Sequence, residues 1–178
     1  QSCAARWVGE RLLRSDVEDP FEPAPLGTSA HSILEDLFDV DSFAPNERTM
    51  TTAAALVERD AAKKWPDNPK ESDAVRAAVK IAKARWIEEV RLAYEGLFVI
   101  ENPAEIDVWG RETQINGLKI NGVPTNGFID RIRTGTNKES GKTGLIVEDY
   151  KTGKVLNTRF GDDHGDQIRI YAEAIRVK

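Results

Sequence analysis

Apolar residues recur every three or four positions through the first half of the chain, which is the spacing of helices that bury one face. This pattern predicts a helix over residues 4–13, one that begins at 27–29 and ends near 38, one over 49–65 and a long one over 72–94. Pro20, Pro23 and Pro25 predict a loop between the first two helices. Ser72 can cap the longest helix. The first half is therefore predicted to be helical.

The second half changes to short apolar runs that are separated by turn-forming residues. Strands are predicted over 97–100, 106–115, 127–132 and 145–150, with turns at 116–117, 121–122 and 134–144. Asp162 and Asp163 can cap a last helix that carries Gln167, Tyr171 and Ile175. Helices followed by a strand meander and a helix indicate a mixed α/β domain rather than a doubly wound one.

Composition narrows the class of protein. The 178 residues suffice for one domain with a core, and 40% hydrophobic with 31% charged residues is typical of a soluble globular protein. No stretch is long and apolar enough to cross a bilayer, and no signal peptide is visible. A net charge of −5 argues against a nonspecific nucleic-acid coat, although it leaves room for a local basic groove.

The single cysteine, Cys3, excludes an intramolecular disulfide framework and favours a reducing, cytoplasmic environment. The sequence starts at Gln1 rather than methionine, and its last helical pattern reaches Lys178 without a stop signal. We therefore expect the sequence to be a piece of a longer polypeptide.

Two carboxylates and a lysine stand at the ends of predicted strands. Asp130 follows an apolar run, and Asp149 and Lys151 end another run and share a strand face by its two-residue period. The second strand is so apolar that we expect it to be central and buried on both faces. Two acids and a lysine in such a place suit a divalent metal and a polarised water, because unpaired buried charge is costly.

Simpler interpretations of the same residues remain open. Asp130 could pair with Arg131 or Arg133, and Asp149 with Lys151 could be a salt bridge on a solvated sheet face. Glu148 is expected to point to the opposite face, so it is not counted as a ligand.

Four segments carry a resemblance to a known family. They are Leu26-Gly-Thr-Ser-Ala-His31, Gly127-Phe-Ile-Asp130, Asp149-Tyr-Lys-Thr-Gly153 and Gln167-Ile-Arg-Ile-Tyr171. Their order and spacing resemble the PD-(D/E)XK nuclease superfamily, and within it the RecB-like exonuclease group, in which a histidine helix precedes G-x-x-D, (D/E)-x-K and Q-x-x-x-Y. Ile129 stands where the wider family often has proline.

The resemblance implies a role for each matching residue. His31, Asp130, Asp149 and the Tyr150 backbone carbonyl would bind the metal, and Lys151 would orient the attacking water and stabilise charge at phosphorus. Gln167 and Tyr171 would shape the site and touch the DNA backbone.

Three further residues are weaker candidates for the site. Lys154 and Arg159 follow the catalytic strand and are candidate phosphate contacts. Glu112 resembles an acid that often precedes the G-x-x-D strand in this group.

Several of these residues also have structural interpretations. His31 could be a satisfied core histidine, since it shares a helix face with Leu34, Glu35 and Phe38. Further alternatives are a half-buried surface pair for Gln167 and Tyr171 and a solvated loop for Lys154 and Arg159. Arg76, Lys80 and Lys83 of the longest helix could form a stripe that tracks phosphates, but a solvated helix face with nearby acids is favoured for them.

The oxygen-rich ligand set favours Mg²⁺ or Mn²⁺, and an imidazole ligand binds Mn²⁺ more readily. One metal and two metals both stay open. Some members of the RecB-like group also hold a four-cysteine iron–sulfur cluster, but Cys3 is the chain's one cysteine, so no such cluster is expected within these residues.

The fold that the resemblance implies is restriction-endonuclease-like: a mixed central sheet flanked by helices, in a single nuclease domain over 1–178. A helical part over 1–95 would donate His31 to an α/β catalytic core over 96–178. The activity implied is metal-dependent DNA hydrolysis, as an exonuclease acting on ends or single strands in recombination, repair or phage DNA processing, with a helicase or recombination protein as an expected partner.

Two other functions stay open. One is a catalytically silent nucleic-acid-binding or scaffold domain, and the other is a small-molecule metallohydrolase with a closed apolar pocket. The oligomeric state is not predicted.

Overall fold

The computed structural model describes residues 19–120, 122–151 and 163–177. Their helices are α1 (Pro23–Leu37), α2 (Met50–Lys64), α3 (Asp73–Ile100) and α4 (Asp163–Val177), and their strands are β1 (Val108–Ile120), β2 (Val123–Thr136) and β3 (Thr143–Glu148). Two short 3₁₀ turns cover Pro45–Glu47 and Pro103–Glu105. The predicted helix over 4–13, Cys3, Lys154, Arg159 and the capping residue Asp162 lie outside the described residues.

Helices α1, α2 and α3 pack around an apolar core of their own. Its largest members are Trp86 and Tyr94 of α3, each 1% exposed, against which α1 places Ile33 and Leu37. The prediction that α1 begins at 27–29 is wrong, because the helix begins at Pro23. A proline fits the first turn, where the backbone N–H has no partner within the helix in any case.

Helix α3 begins as predicted, with the Ser72 hydroxyl accepting a hydrogen bond from the Val75 N–H at 3.4 Å. It ends at Ile100, so the predicted strand over 97–100 is wrong. A four-residue apolar run fits either element, and here Leu97 packs against the helical core as a continuation of the helix.

The three strands form an antiparallel sheet in the order β1-β2-β3. Helices packed on a sheet confirm the predicted α/β class, while the sheet in the described part of the chain is antiparallel throughout. The sequence predicts that the strand ahead of Asp149 is central and buried. Within the described sheet this prediction is wrong, because β3 is an edge strand and its first three residues are exposed. Its apolar run was too short to separate a central strand from a half-buried edge.

The predicted turn at 116–117 is instead a bulge within β1. The pairing with β2 shifts between Ile115 and Leu118, and Gly117 adopts a φ of 68°, which glycine reaches without strain. Its N–H donates a 3.2 Å hydrogen bond to the Asn126 side chain. The turn at 121–122 is confirmed, since Ile120 pairs with Val123 across it.

Helix α4 packs on the sheet and forms a second apolar core. Ala174 of α4 is 2% exposed and lies in one cluster with Ile115, Ile129 and Ile132 of the strands. Residues of the helical part and of α4 therefore both reach β2 and the end of β3.

Candidate active site

The pairing of β2 with β3 brings the two predicted catalytic acids together. Arg131 pairs with Glu148, which places Asp130 opposite Asp149. Two details of the prediction are corrected: Asp130 lies in the middle of β2 rather than at its end, and Asp149 and Lys151 follow the end of β3. After β3 ends, the chain remains bound to β2, because the Tyr150 N–H donates a 2.5 Å hydrogen bond to Asp130 Oδ2.

Asp149 is held by a lysine and an amide. Lys151 Nζ forms an ion pair with Asp149 Oδ2, and Gln167 Nε2 donates to Asp149 Oδ1 at 3.1 Å. The same Gln167 amide donates to the Tyr171 hydroxyl at 2.8 Å. The Asp149 side chain is 9% exposed and that of Lys151 46% exposed, so the ammonium stands between a buried carboxylate and solvent.

The predicted histidine helix reaches the same place. His31 Nδ1 lies 3.6 Å from Asp130 Oδ2, and the imidazole meets the Tyr150 ring edge-on at 5.7 Å between ring centroids. The His31 side chain is 31% exposed, so it is not a fully buried core residue. Four elements that are far apart in sequence thus converge around Asp130 and Asp149: α1, β2, the end of β3 and α4.

An open cavity of about 510 Å³ lies over Asp130 and His31. Its remaining lining residues are Pro23, Ala24, Gly27, Thr28, Ser32, Glu35 and Glu112. Glu112 of β1 lies opposite Asp130 of β2, between the pairs Arg111–Arg131 and Thr113–Ile129. Its φ of 41° is rare for a residue with a side chain, and such strained backbone is concentrated at functional sites.

The carboxylates around this cavity are short of positive charge. Burial raises the pKa of Asp130, and the nearby Asp149 raises it further, against the opposing effects of the Tyr150 N–H and His31. Burial also raises the pKa of Glu112, with Glu35 and Asp130 acting in the same direction. A bound cation would relieve both effects.

The donor set fits a hard divalent cation. Carboxylate oxygens from Asp130, Asp149 and Glu112 with one imidazole, His31, are ligands that suit Mg²⁺ or Mn²⁺. In the described part of the chain, no three His, Cys, Asp or Glu side chains converge closely enough to form a ready metal centre. A divalent cation is therefore favoured by the kind of donor atoms present and by the negative charge of the carboxylates that lie close together.

Arg131 is an important neighbour of this site that the sequence did not identify. Its side chain is 2% exposed, and its guanidinium binds Glu148 and Glu101 at 2.6 Å each. The guanidinium carbon also lies 4.3 Å from the centroid of the Phe38 ring and 5.4 Å from that of Tyr150. Arg131 therefore fixes the two residues that flank Asp149 in the chain.

The same contacts decide one of the open interpretations. Arg131 and Arg133 both bind Glu148, the latter at 2.7 Å, and neither pairs with Asp130. One acid and two arginines within residues 130–133 were the available signal, but they did not show which acid each arginine would bind.

Glu35 is a second residue that was not proposed for the site, although it lines the cavity at Asp130. It lies four residues after His31 on α1, so the helical period was the signal that could have found it. Arg111 lies 3.3 Å from Glu35 and 2.8 Å from Asp39, which ties this face of α1 to β1.

Comparison with known proteins gives one match. A family model described as the PD-(D/E)XK nuclease superfamily matches residues 1–178. The searches of curated proteins and of solved structures each found no match. Within the residues that the structure describes, no helix combines the length and apolar character needed to cross a membrane.

Proposed function

The chain belongs to the PD-(D/E)XK nuclease superfamily, and on this premise we propose that it is a metal-dependent deoxyribonuclease of the RecB-like exonuclease group. The observation that carries the proposal is the convergence of Asp130, Asp149 and Lys151 with Gln167 beside them. In the proposal, residues 1–178 act as one nuclease domain to which the helical part contributes His31.

The proposed roles follow from the surroundings of each side chain. The proposed metal ligands are Asp130, Asp149, His31 and the Tyr150 carbonyl. Glu112, which lies on β1 opposite Asp130, is a further candidate. A bound Mg²⁺ or Mn²⁺ supplies a Lewis acid for the phosphate and makes water nucleophilic near neutral pH.

Lys151 is suited to act on the attacking water and on the charge that develops at phosphorus. Its ammonium is anchored by Asp149 yet 46% exposed, so it can contact a phosphate that lies at the surface. Gln167 fixes the second oxygen of Asp149, and Tyr171 fixes Gln167, so this pair orients the acid. We propose that their free edges also touch the DNA backbone.

The substrate that this site favours is DNA. The cavity at Asp130 is open and polar, which suits an extended backbone better than the closed apolar pocket of a small-molecule hydrolase. We propose action on DNA ends or single strands in recombination, repair or phage DNA processing, alongside a helicase or recombination partner. Lys154 and Arg159 are proposed phosphate contacts.

The test is cleavage of end-labelled linear DNA, single- and double-stranded, with Mg²⁺, Mn²⁺ or EDTA, and with closed circular DNA as a second substrate. We expect metal-dependent loss of the linear strands from their ends, with circular DNA left intact. Nicking of circular DNA would contradict the exonuclease assignment while leaving the nuclease in place. DNA binding without cleavage in any metal would instead support a catalytically silent binding domain.

A further inference from the structure

A second groove lies in the helical part, outside the site described above. It is formed by the end of α2, the following loop and the first half of α3, and it has a volume of about 490 Å³. Ala62 and Trp65 line one side, and Arg76, Lys80 and Lys83 line the other. We call this the helical groove.

The helical groove is positively charged although the whole chain carries −5. Arg76, Lys80 and Lys83 follow one another at four- and three-residue steps, so they form one stripe along α3. Asp67 is the one acid among the groove's lining residues. A cationic stripe on an acidic protein is complementary to a polyanion.

The two acids that precede the stripe in the chain, Glu71 and Asp73, bind neither Lys80 nor Lys83. Asp73 binds Arg76 at 2.5 Å, and Glu71 accepts a hydrogen bond from Asn68 at 3.2 Å. Among the described residues, no carboxylate forms an ion pair with Lys80 or Lys83. Their ammonium groups are therefore available to phosphates.

Trp65 gives the helical groove an aromatic surface. It is half-buried, and its ring packs edge-on against Trp86 at 5.4 Å and lies 6.2 Å from Phe21. A ring supported in this way loses little conformational freedom when a nucleobase stacks on it, and base stacking on aromatic side chains is a common device for holding single strands.

The helical groove is connected to the active site through the start of α1. Trp65 contacts Phe21, and Pro23 and Ala24, which follow it closely in the chain, line the cavity at Asp130. The segment 21–24 thus borders both the helical groove and the cavity at Asp130.

We propose that the helical groove is a second contact for single-stranded DNA, which binds phosphates through Arg76, Lys80 and Lys83 and stacks a base on Trp65. The inference rests on the proposed function, because it takes DNA as the substrate. Its effect is to hold the strand beyond the nucleotides that occupy the active site.

The test compares Lys80→Gln/Lys83→Gln with the control Lys138→Gln/Lys142→Gln, which makes the same charge change in the exposed β2–β3 turn. Binding of a long single strand is measured in EDTA over a range of salt, so cleavage plays no part. Loss of two phosphate contacts should lower the salt slope by roughly 1.4, at about 0.7 per contact for single strands. The control should keep the original slope.

Cleavage of a short oligonucleotide that spans the active site alone should be unchanged in the groove variant. An equal slope and affinity in the groove variant and the control would overturn the proposal. Failure of the proposed function is distinguishable, since it would appear as absence of cleavage by the unmodified protein whatever the binding results. Polyglutamate serves as a probe for an acidic protein partner. If the groove variant bound polyglutamate more weakly but bound DNA normally, the groove would be a site for an acidic protein, and the proposal would also be overturned.

A second variant, Trp65→Leu, tests the stacking contact. The unmodified protein should bind a normal strand more tightly than an abasic strand of the same length, and the variant should lose part of that preference. Thermal melting of the variant checks that it is folded. A preference that is unchanged in folded Trp65→Leu would remove Trp65 from the proposed contact.

Discussion

Glu148 and Asp149 are neighbours in the chain but lie in different electrostatic surroundings. Glu148 is bound by two guanidinium groups, from Arg131 and Arg133, and Arg131 is itself almost fully buried. Asp149 has one lysine that is half in solvent and one amide, and a second carboxylate, Asp130, lies opposite it in the sheet.

The comparison separates stability from chemistry. Arg131 and Arg133 bind the two carboxylate oxygens of Glu148, so Glu148 has little left to offer a ligand. The cluster at Asp149 and Asp130 holds more negative charge than its surroundings neutralise, which is the condition in which a cation or a phosphate with its metal binds well. Removal of a charge should therefore lower stability in the cluster at Glu148. In the cluster at Asp149 and Asp130 it should lower cleavage and leave stability unchanged or higher.

The largest effect is expected for Asp149→Asn. The change keeps the shape and the hydrogen bond from Gln167 but removes the charge, so cleavage should fall by at least roughly 10³-fold. Urea denaturation should show little change in stability. Asp41→Asn, at an exposed loop position, is the matched control and should retain activity. Retained cleavage in Asp149→Asn would refute its assignment as a metal ligand.

Lys151→Ala should lower the cleavage rate by roughly 10²- to 10³-fold, because the proposed role of the ammonium is to stabilise the transition state rather than the fold. Mn²⁺ binding, followed by calorimetry, should persist in the variant. Loss of Mn²⁺ binding would assign the lysine a structural role in holding Asp149, and Lys142→Ala in the exposed β2–β3 turn is the control.

The cluster at Glu148 should respond in stability instead. Arg131→Met leaves Glu101 and Glu148 without their buried partner, so the free energy of unfolding should fall by about 3–5 kcal/mol. Arg133→Met is the control, since Arg133 is 27% exposed and its loss should cost about 1 kcal/mol or less. Equal losses in urea denaturation would show that Arg131 has no special structural role.

The smallest effect on stability, and the one of opposite sign, is expected for Asp130→Asn. Because burial and Asp149 raise the pKa of Asp130, the folded protein binds a proton more tightly there than the unfolded chain does. The charged Asp130 carboxylate lowers the stability of the folded protein. This loss is absent below the pKa of the unfolded chain and grows as the pH rises through the pKa of the folded protein. With EDTA present, the variant should be more stable than the unmodified protein at neutral pH, and the gain should vanish in acid.

Unfolding curves at the two pH values check this sign. A variant that is less stable at neutral pH would mean that the charge of Asp130 is compensated in the folded protein, by His31 for example.

That several candidate site residues would lie together was predictable from particular residues. His31, Asp130, Asp149, Lys151 and Gln167 stand in segments whose order and spacing carry a family pattern, and the structure brings them together. The functional roles of these residues stay predictions until they are measured. Lys154 and Arg159 also remain predictions, since they lie outside the described residues.

The predicted elements are wrong where a short sequence pattern fits two kinds of structure. The apolar run at 97–100 suits a helix as well as a strand, and its first two residues, Leu97 and Phe98, pack against the helical core as part of α3. Asn116-Gly117 suits a hairpin turn or a bulge, and continued pairing with β2 made it a bulge. Such choices depend on long-range contacts, which local sequence does not contain.

The sequence by itself determined the helical first half, the strand meander after it and the residues that belong to the family pattern, because period, turn residues and motif spacing are local properties. Tertiary structure alone decided which acid each arginine would bind, that β3 lies at the edge of the described sheet, and that Trp65 lines one groove with Arg76, Lys80 and Lys83. Those outcomes depend on which distant segments come into contact, since the charge and burial of a side chain are set by neighbours that are far away in the chain.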